Sequence, residues 1–290
     1  MGGLGNQMFQ YAAGRALALA RSAELVLDRS TFFARDRVFR RSFELAPFPI
    51  RAREASASER LAFHFELAVR RVGISRARQE ARRPWGRLVS EVDARASIDP
   101  LDGDPRRLFL IGYWQTERHF AGDRATIAAE LRPPASRNPA FLDLARTLES
   151  PNAIALGVRL FEEVPGTAKE GVGGVVPIAA YTRGARLLAE GVRDPQFFVF
   201  STVKSPVFDQ LNLPGPVRYV THENGFEGTT DRLWLLSRCS RFVIANSSYY
   251  WWAAWLAESE RRDTAVAAFD RFPNPLTIPD RWTRLPADGD

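Results

Sequence analysis

Short apolar runs alternate with polar turns and helical periodicity throughout the second half of this chain of 290 residues. The apolar runs that predict buried strands are Ala153 to Leu156, Phe197 to Phe200, Val217 to Val220 and Phe242 to Ala245. Helical stretches between them are predicted near 177–190 and over 231–238. Repeated units of strand, loop and helix are typical of a parallel sheet with helices on both faces. The predicted fold class is therefore α/β.

The first half begins with a glycine-rich turn, Met1 to Gln10, that leads into a helix with apolar residues at helical spacing as far as Ala20. Leu25 to Leu27 predicts a strand, so this opening resembles the second half of a βαβ unit without its first strand. A further strand is predicted over Arg107 to Gly112. We place a domain boundary near Ser150, which gives domains of residues 1–150 and 151–290.

Composition indicates a soluble globular protein, with 45% hydrophobic and 26% charged residues. The net charge of +6 favours acidic partners such as phosphates, nucleotides or an anionic membrane surface. Cys239 is the single cysteine, so no internal disulfide can form, which fits a reducing compartment. We see no signal peptide and no apolar run long enough to span a bilayer. The expected location is the cytoplasm.

The segment 51–104 is helical in propensity and carries a dense group of arginines. These are Arg70, Arg71, Arg76, Arg78, Arg82, Arg83 and Arg87. We interpret the segment as a basic helical insertion with a solvated face. The alternative is a peripheral docking surface for acidic lipid head groups, or for a phosphorylated lipid carrier, on the inner face of the membrane. Aromatic residues are too sparse here to favour a nucleic-acid partner.

Several catalytic and metal-binding patterns are missing from the sequence. His64, His119 and His222 lie too far apart to give metal-ligand spacing, and we find neither a Walker loop nor a G-x-S-x-G elbow. Asp102 and Asp104 could hold a divalent cation, but their Pro- and Asp-rich surroundings favour a turn. We therefore expect no metal and no cofactor.

The segment after the last predicted strand has the pattern of an anion site. Asn246, Ser247 and Ser248 offer N-cap chemistry, and Tyr249 to Glu258 can form a helix. A strand, a tight turn and a helix start present free backbone N–H groups and a positive dipole end to an anion, commonly a nucleotide diphosphate. The alternative is that the tryptophans at 251, 252 and 255 are core residues above a capped helix.

Four segments together resemble one known family. They are Gly2 to Ala12, Gly112 to Gln115, Phe198 to Ser201 and Ile244 to Leu256. Their identity and order resemble the α-1,2-fucosyltransferases of glycosyltransferase family 11, and Arg40 to Leu45 matches family usage as well. The resemblance covers most of the chain and is weakest over 51–104.

This resemblance implies a GT-B-like fold of two Rossmann-like domains with a ligand cleft between them. The first domain would face a galactose-type acceptor on a glycan or lipid-linked glycan. The second would hold the donor, GDP-fucose, and transfer would invert the configuration of fucose and form an α-1,2 link without metal. The implied donor contacts are Asn246, Ser247, Ser248 and Ser201, and the implied cleft residues are Gly3, Gly5, Asn6, Gln7 and Gln115.

The sequence departs from the family at two motifs. The family pattern His-x-Arg-Arg-x-Asp corresponds to Gly157 through Glu162, where Arg159 matches the first arginine and is expected to neutralise the leaving diphosphate. Gly157 replaces the histidine and Leu160 replaces the second arginine. In the Ser-Asp-Asp motif Ser201 is kept, whereas Thr202 and Val203 replace both aspartates.

Removal of the acceptor hydroxyl proton requires a base. Glu162, Glu163 and Glu223 are candidates, with Glu162 closest to the family position, although each is also compatible with an exposed surface carboxylate. We expect an inverting fucosyltransferase with Arg159 and Glu162 as catalytic residues. Two alternatives remain: the same fold with another GDP-sugar or acceptor, and a catalytically weak homologue that binds nucleotide or glycan.

Overall fold

The computed structural model describes residues 2–31, 33, 36–37, 39–71, 86–91, 107–160, 171–261 and 263–288. The helices are α1 (Leu4–Ala20), α2 (Ala57–Arg71), α3 (Arg124–Glu130), α4 (Pro139–Leu148), α5 (Ile178–Ala189), α6 (Thr229–Leu236) and α7 (Ser248–Glu260). The strands are β1 (Val26–Leu27), β2 (Arg53–Glu54), β3 (Arg87–Ser90), β4 (Leu108–Ile111), β5 (Ala153–Gly157), β6 (Gln196–Phe200), β7 (Val217–Val220), β8 (Arg241–Ile244), β9 (Ala265–Phe269) and β10 (Thr283–Leu285).

A six-stranded parallel sheet organises the second half of the chain. Its strand order is β10-β9-β8-β5-β6-β7, and every neighbouring pair is parallel. All five residues of the central strand β5 are buried, as expected for a parallel strand that is covered on both faces. The predicted α/β class with a parallel sheet is confirmed.

The described strands of the first half form two small parallel sheets, β1 with β2 and β3 with β4. They do not join into one continuous sheet within the described ranges, so a second Rossmann-like domain stays a prediction. The prediction of helix across 51–104 was wrong for residues 53–54, which form β2 beside β1, and for residues 87–90, which form β3 beside β4. Helix propensity is a weak preference that pairing with a neighbouring strand can override.

Much of the arginine-rich segment lies outside the described residues. Of the seven clustered arginines named above, Arg87 is described with its side chain, and it belongs to strand β3. None of the helices in the described ranges has an apolar stretch long enough to cross a membrane. A docking surface formed by these arginines therefore stays a prediction.

Helix α1 and helix α7 are joined by an aromatic core. The rings of Phe9 and Trp251 lie 4.5 Å apart, and those of Phe9 and Trp252 lie 5.0 Å apart. Trp251, Trp252 and Trp255 are all completely buried. These tryptophans are core residues, and by packing on α1 they bring the glycine-rich N-terminal segment to the start of α7.

Candidate active site

Three helix starts border one pocket, which has a volume of about 270 Å³. Gly3 and Leu4 at the start of α1, Thr229 at the start of α6, and Ser247 with Ser248 at the start of α7 all line it. The first N–H groups of a helix have no intrahelical partner. The N-cap residues of these helices, Gly3, Gly228 and Ser247, make no side-chain hydrogen bond to the N–H groups. The pocket therefore receives three positive helix ends with backbone donors available.

The starts of α1 and α7 touch through their backbones. A Cβ atom at Gly5 would lie 2.5 Å from both the carbonyl carbon of Ser248 and the backbone nitrogen of Tyr249. A side chain cannot be placed at such a distance without separating the two helices. Gly5 is therefore required for the junction that forms this wall of the pocket.

Three arginines line the pocket. Arg159 follows strand β5, and Arg41 lies against the start of α1, where its Nη1 would be 3.0 Å from a Cβ atom at Gly3. Arg232 on α6 is 7% exposed; its Nη2 donates to the carbonyl oxygens of Ser201 at 2.7 Å and Val220 at 3.3 Å. Its buried Nε has no hydrogen-bond partner. Three guanidinium groups beside three helix starts suit an anion with more than one negative charge.

Glu44 supplies a carboxylate to the same pocket, and it is the only carboxylate among the described lining residues. Its Oε2 is buried without a hydrogen-bond partner. The backbone N–H of Glu44 donates to Oε1 of Gln7 at 2.9 Å, while Nε2 of Gln7 donates to the carbonyl oxygens of Ser42 at 2.8 Å and Gly2 at 2.9 Å. Gln7 thus ties the segment that carries Glu44 to the start of α1.

The predicted cleft residues divide into lining and supporting groups. Gly3, Gly5 and Asn6 line the pocket, whereas Gln7 and Gln115 are not among its lining residues. Nε2 of Gln115 donates to Oδ1 of Asn6 at 2.7 Å. Gln115 therefore orients the amide of Asn6, as Gln7 orients the backbone of Glu44.

The predicted donor contacts divide in the same way. Ser247 and Ser248 line the pocket, but Asn246 and Ser201 lie outside the lining set. Asn246 is 8% exposed and its Nδ2 donates to the carbonyl oxygen of Arg271 at 3.3 Å. Ser201 is buried with its Oγ unpartnered, and its carbonyl oxygen accepts the bond from Arg232.

None of the three candidate bases is among the described residues that line the pocket. Glu162 and Glu163 lie outside the described residues, as do Asp102 and Asp104. Glu223 is exposed, does not line the pocket, and accepts the backbone N–H of Lys204 on Oε2 at 3.0 Å.

The glycine at position 157 has a structural counterpart on α7. A Cβ atom at Gly157 would lie 2.5 Å from Cγ of Tyr250, so the tyrosine ring occupies the space of a side chain at 157. The Tyr250 hydroxyl lies 3.0 Å from the carbonyl oxygens of both Val158 and Phe200. The Tyr250 ring therefore fills the space beside Gly157, and its hydroxyl contacts the ends of β5 and β6.

Sequence reasoning missed several residues that line the pocket. They are Leu4, Arg41, Glu44, Val158, Thr229, Arg232, Tyr249 and Tyr250. Arg41 and Glu44 lie in the 40–45 stretch already noted for its resemblance, which was a usable signal. Arg232 directly precedes the apolar residues Leu233 to Leu236 of α6, and an arginine that is buried beside such a run usually has a specific partner or ligand.

No protein-family model matches the chain. The chain is similar to an "Alpha-1,2-colitosyltransferase" of Escherichia coli, with 26% identity over 297 residues that cover 98% of this chain and 96% of the relative. It is also similar to the "O-antigen biosynthesis glycosyltransferase WbnK" of Escherichia coli, with 28% identity over 279 residues and 88% of each chain covered. Both similarities run along most of each protein, and they support a glycosyltransferase.

A solved structure of a glycosyl transferase family 9 protein from Veillonella parvula DSM 2008 covers 97% of this chain and 83% of its own. The sequence identity is 10% and the TM-score is 0.40. A score of that size supports no conclusion about fold or function.

Proposed function

We propose that the protein is an inverting glycosyltransferase that transfers fucose from GDP-fucose to a hydroxyl of a galactose-type acceptor, forming an α-1,2 link. The observation that carries this proposal is the convergence of three helix starts and three arginines on one pocket. Nucleotide diphosphates are anions that such a site suits. The similarity to an α-1,2 transferase and to an O-antigen glycosyltransferase supports the reaction class and a role in surface-glycan synthesis.

In the proposed reaction, the pocket holds the diphosphate of the donor. The acceptor oxygen attacks the anomeric carbon from the face opposite the diphosphate, and the bond from that carbon to the phosphate oxygen breaks. The electron pair of the broken bond goes to the diphosphate. Arg159 and Arg232, with the backbone N–H of Ser248 at the start of α7, stabilise this developing charge. Positive charge from these groups is the reason we expect transfer without a divalent cation.

The acceptor is proposed to be a glycan or lipid-linked glycan at the cytoplasmic face of the membrane. The net charge of +6 and the arginine-rich segment support a peripheral contact with acidic head groups. Binding to vesicles with and without anionic lipid tests this part of the proposal separately from catalysis.

The donor site is tested by calorimetric titration with GDP, GDP-fucose, GDP-mannose and UDP-galactose in the absence of added metal. We expect the guanine nucleotides to bind and UDP-galactose not to bind. Arg146→Ala is the matched control for Arg159→Ala and should bind as the wild type does. Arg146 is 78% exposed, lies outside the pocket and pairs with Asp143. Absence of binding by all four compounds contradicts the proposed donor site.

A second candidate is the same reaction with another GDP-linked sugar. The relative named as a colitosyltransferase favours this alternative, as do Thr202 and Val203 in place of the family aspartates. Transfer assays with GDP-fucose and GDP-colitose on one galactose-type acceptor distinguish the two donors. Nucleotide binding without transfer of either sugar would instead indicate a binding homologue.

A further inference from the structure

We propose that Glu44 is the general base of the transfer reaction, accepting the proton of the attacking acceptor hydroxyl. This inference rests on the proposed function and adds a catalytic residue to it. Glu44 belongs to none of the loops in which the sequence suggested a base. In sequence it lies far from both Arg159 and Arg232.

One oxygen of the Glu44 carboxylate lacks the hydrogen bond that a buried acceptor normally has. Glu44 Oε2 is buried and has no hydrogen-bond partner, although three arginines line the same pocket. Buried polar atoms in folded proteins are almost always hydrogen-bonded, and an exception often has a catalytic role or an additional ligand. An acceptor hydroxyl that donates to Oε2 would satisfy this atom.

Gln7 fixes the backbone of Glu44 beside the pocket. Gln7 is 3% exposed, and its amide accepts the Glu44 N–H while it donates to the carbonyl oxygens of Gly2 and Ser42. The backbone of Glu44 is thereby fixed to the same helix start that contributes to the anion site. Positioning of this kind is what proton transfer requires, since the base must lie within hydrogen-bond reach of the proton.

Neither tyrosine among the described lining residues is a better base than Glu44. Tyr249 donates its hydroxyl to the carbonyl oxygen of Thr229 at 2.7 Å, and burial raises the pKa of this tyrosine, which keeps it protonated. The Tyr250 hydroxyl faces two carbonyl oxygens. His222 is the remaining titratable competitor, and Arg41, Arg159 and Arg232 are the charged groups that share the pocket with Glu44.

The proposed transfer breaks two bonds and forms two bonds. The O–H bond of the acceptor breaks and its proton passes to the Glu44 carboxylate. The acceptor oxygen forms a bond to the anomeric carbon, while the bond from that carbon to the diphosphate breaks and its electron pair leaves with the nucleoside diphosphate. Glu44 then releases the proton to water, and no oxidant, reductant or metal is needed.

The test compares Glu44→Gln with the wild-type protein by GDP calorimetry and by transfer rates measured across pH. Glutamine keeps the size of the side chain and cannot accept the proton. We expect kcat to fall by about 10²–10⁴-fold, with GDP affinity unchanged and the acidic limb of the pH–rate profile lost. Glu190→Gln is the matched control, because Glu190 is an exposed carboxylate at the end of α5 and outside the pocket, and it should behave as wild type.

Wild-type kcat in Glu44→Gln, or an unchanged acidic limb, would overturn the proposal, and loss of that limb in His222→Asn would assign the role to histidine. Loss of GDP binding in Glu44→Gln would contradict a role confined to proton transfer. If Glu44→Gln does not fold, Glu44→Asp keeps the charge on a shorter side chain. We expect it to retain the acidic limb with a kcat at least tenfold lower, and wild-type kcat would count against the proposal. Failure of the wild-type protein to bind GDP would instead refute the proposed function.

Discussion

The two ends of helix α7 differ in how completely the polar groups around them are hydrogen-bonded. At its start, the pocket and its surroundings contain buried polar atoms without partners; these are Glu44 Oε2, Ser201 Oγ, Thr221 Oγ1 and Arg232 Nε. Near its end, Glu258 accepts hydrogen bonds from Arg281 at 2.6 Å and from Arg124 at 2.7 Å. Glu117 also accepts from both arginines and from Nε1 of Trp255, the last at 3.0 Å.

The difference indicates that the polar groups at the start of α7 serve ligand binding, whereas those near its end stabilise the fold. A buried polar group without a partner costs roughly 1–3 kcal/mol, so several around one pocket are tolerated where a ligand will satisfy them. The cluster formed by Glu117, Arg124, Glu258 and Arg281 has two carboxylates and two guanidinium groups that satisfy each other. It joins α7 to segments from both halves of the chain. Changes of polar side chains at the start of α7 should therefore act on binding and turnover, and changes of polar side chains near its end should act on stability.

After Glu44→Gln, the largest expected effect on turnover is that of Arg159→Ala. The variant removes a guanidinium that faces the proposed leaving diphosphate, and we expect a loss of about 10²–10³-fold in kcat/KM. The melting temperature should stay close to that of the wild type because Arg159 is only half-buried and follows the strand. Transfer kinetics and thermal unfolding measure the two quantities. Wild-type turnover in this variant would remove Arg159 from the diphosphate site.

Gly5→Ala tests the junction at which α1 meets α7. Alanine is favoured over glycine inside a helix by about 1 kcal/mol. Here the added Cβ would lie 2.5 Å from backbone atoms of α7, which cannot move cheaply. We expect a net loss of about 1–3 kcal/mol of stability together with weaker GDP binding, because the helix starts separate.

Gly122→Ala is the control for this variant, since no atom lies within 4 Å of a Cβ atom at Gly122. Chemical denaturation and GDP calorimetry on both variants measure the effect. An increase in stability for Gly5→Ala would show that the contact between the helix starts is looser than described.

Glu258→Gln tests the satisfied end of α7. The variant weakens bonds from Arg124 and Arg281, and we expect a loss of about 1–3 kcal/mol of unfolding free energy with GDP affinity unchanged. Asp143→Asn is the control, because Asp143 and Arg146 form an exposed pair whose loss should cost at most about 1 kcal/mol. Weaker GDP binding in Glu258→Gln would show that the two ends of α7 are coupled.

The smallest effect is expected for the same variant, as a change in how the melting temperature depends on pH. Burial alone would raise the pKa of Glu258, but hydrogen bonds from Arg281 and Arg124 outweigh it and lower the pKa. A carboxyl with a lowered pKa in the folded state stabilises the protein above its unfolded-state pKa, and this contribution is lost as pH falls towards the folded-state value. The wild-type melting temperature should therefore fall more than that of Glu258→Gln between about pH 7 and pH 3. Parallel curves would contradict this assignment.

Local patterns predicted the elements of the second half well. The strand predicted over Val217–Val220 has the same bounds in the structure, and α7 differs from the predicted helix by one residue at its start and two at its end. Each of these elements has a self-contained signal, either an apolar run or a polar turn followed by helical spacing. Helix α4 and strands β2, β9 and β10 were not predicted, and β3 falls in a stretch predicted as helix. Strand β10 has only three residues, two of them exposed and polar.

The chain by itself determined which segments have the chemistry of an anion site, because glycines, hydroxyl side chains and a helix start are local features. It also indicated Arg159 through resemblance. Only the tertiary structure decided that Glu44 and Arg232, which are far apart in sequence, share one pocket with the starts of α1 and α7. The reason is that their meeting depends on the packing of α1 against α7 through Gly5 and the buried tryptophans, a non-local contact that no single stretch of sequence encodes.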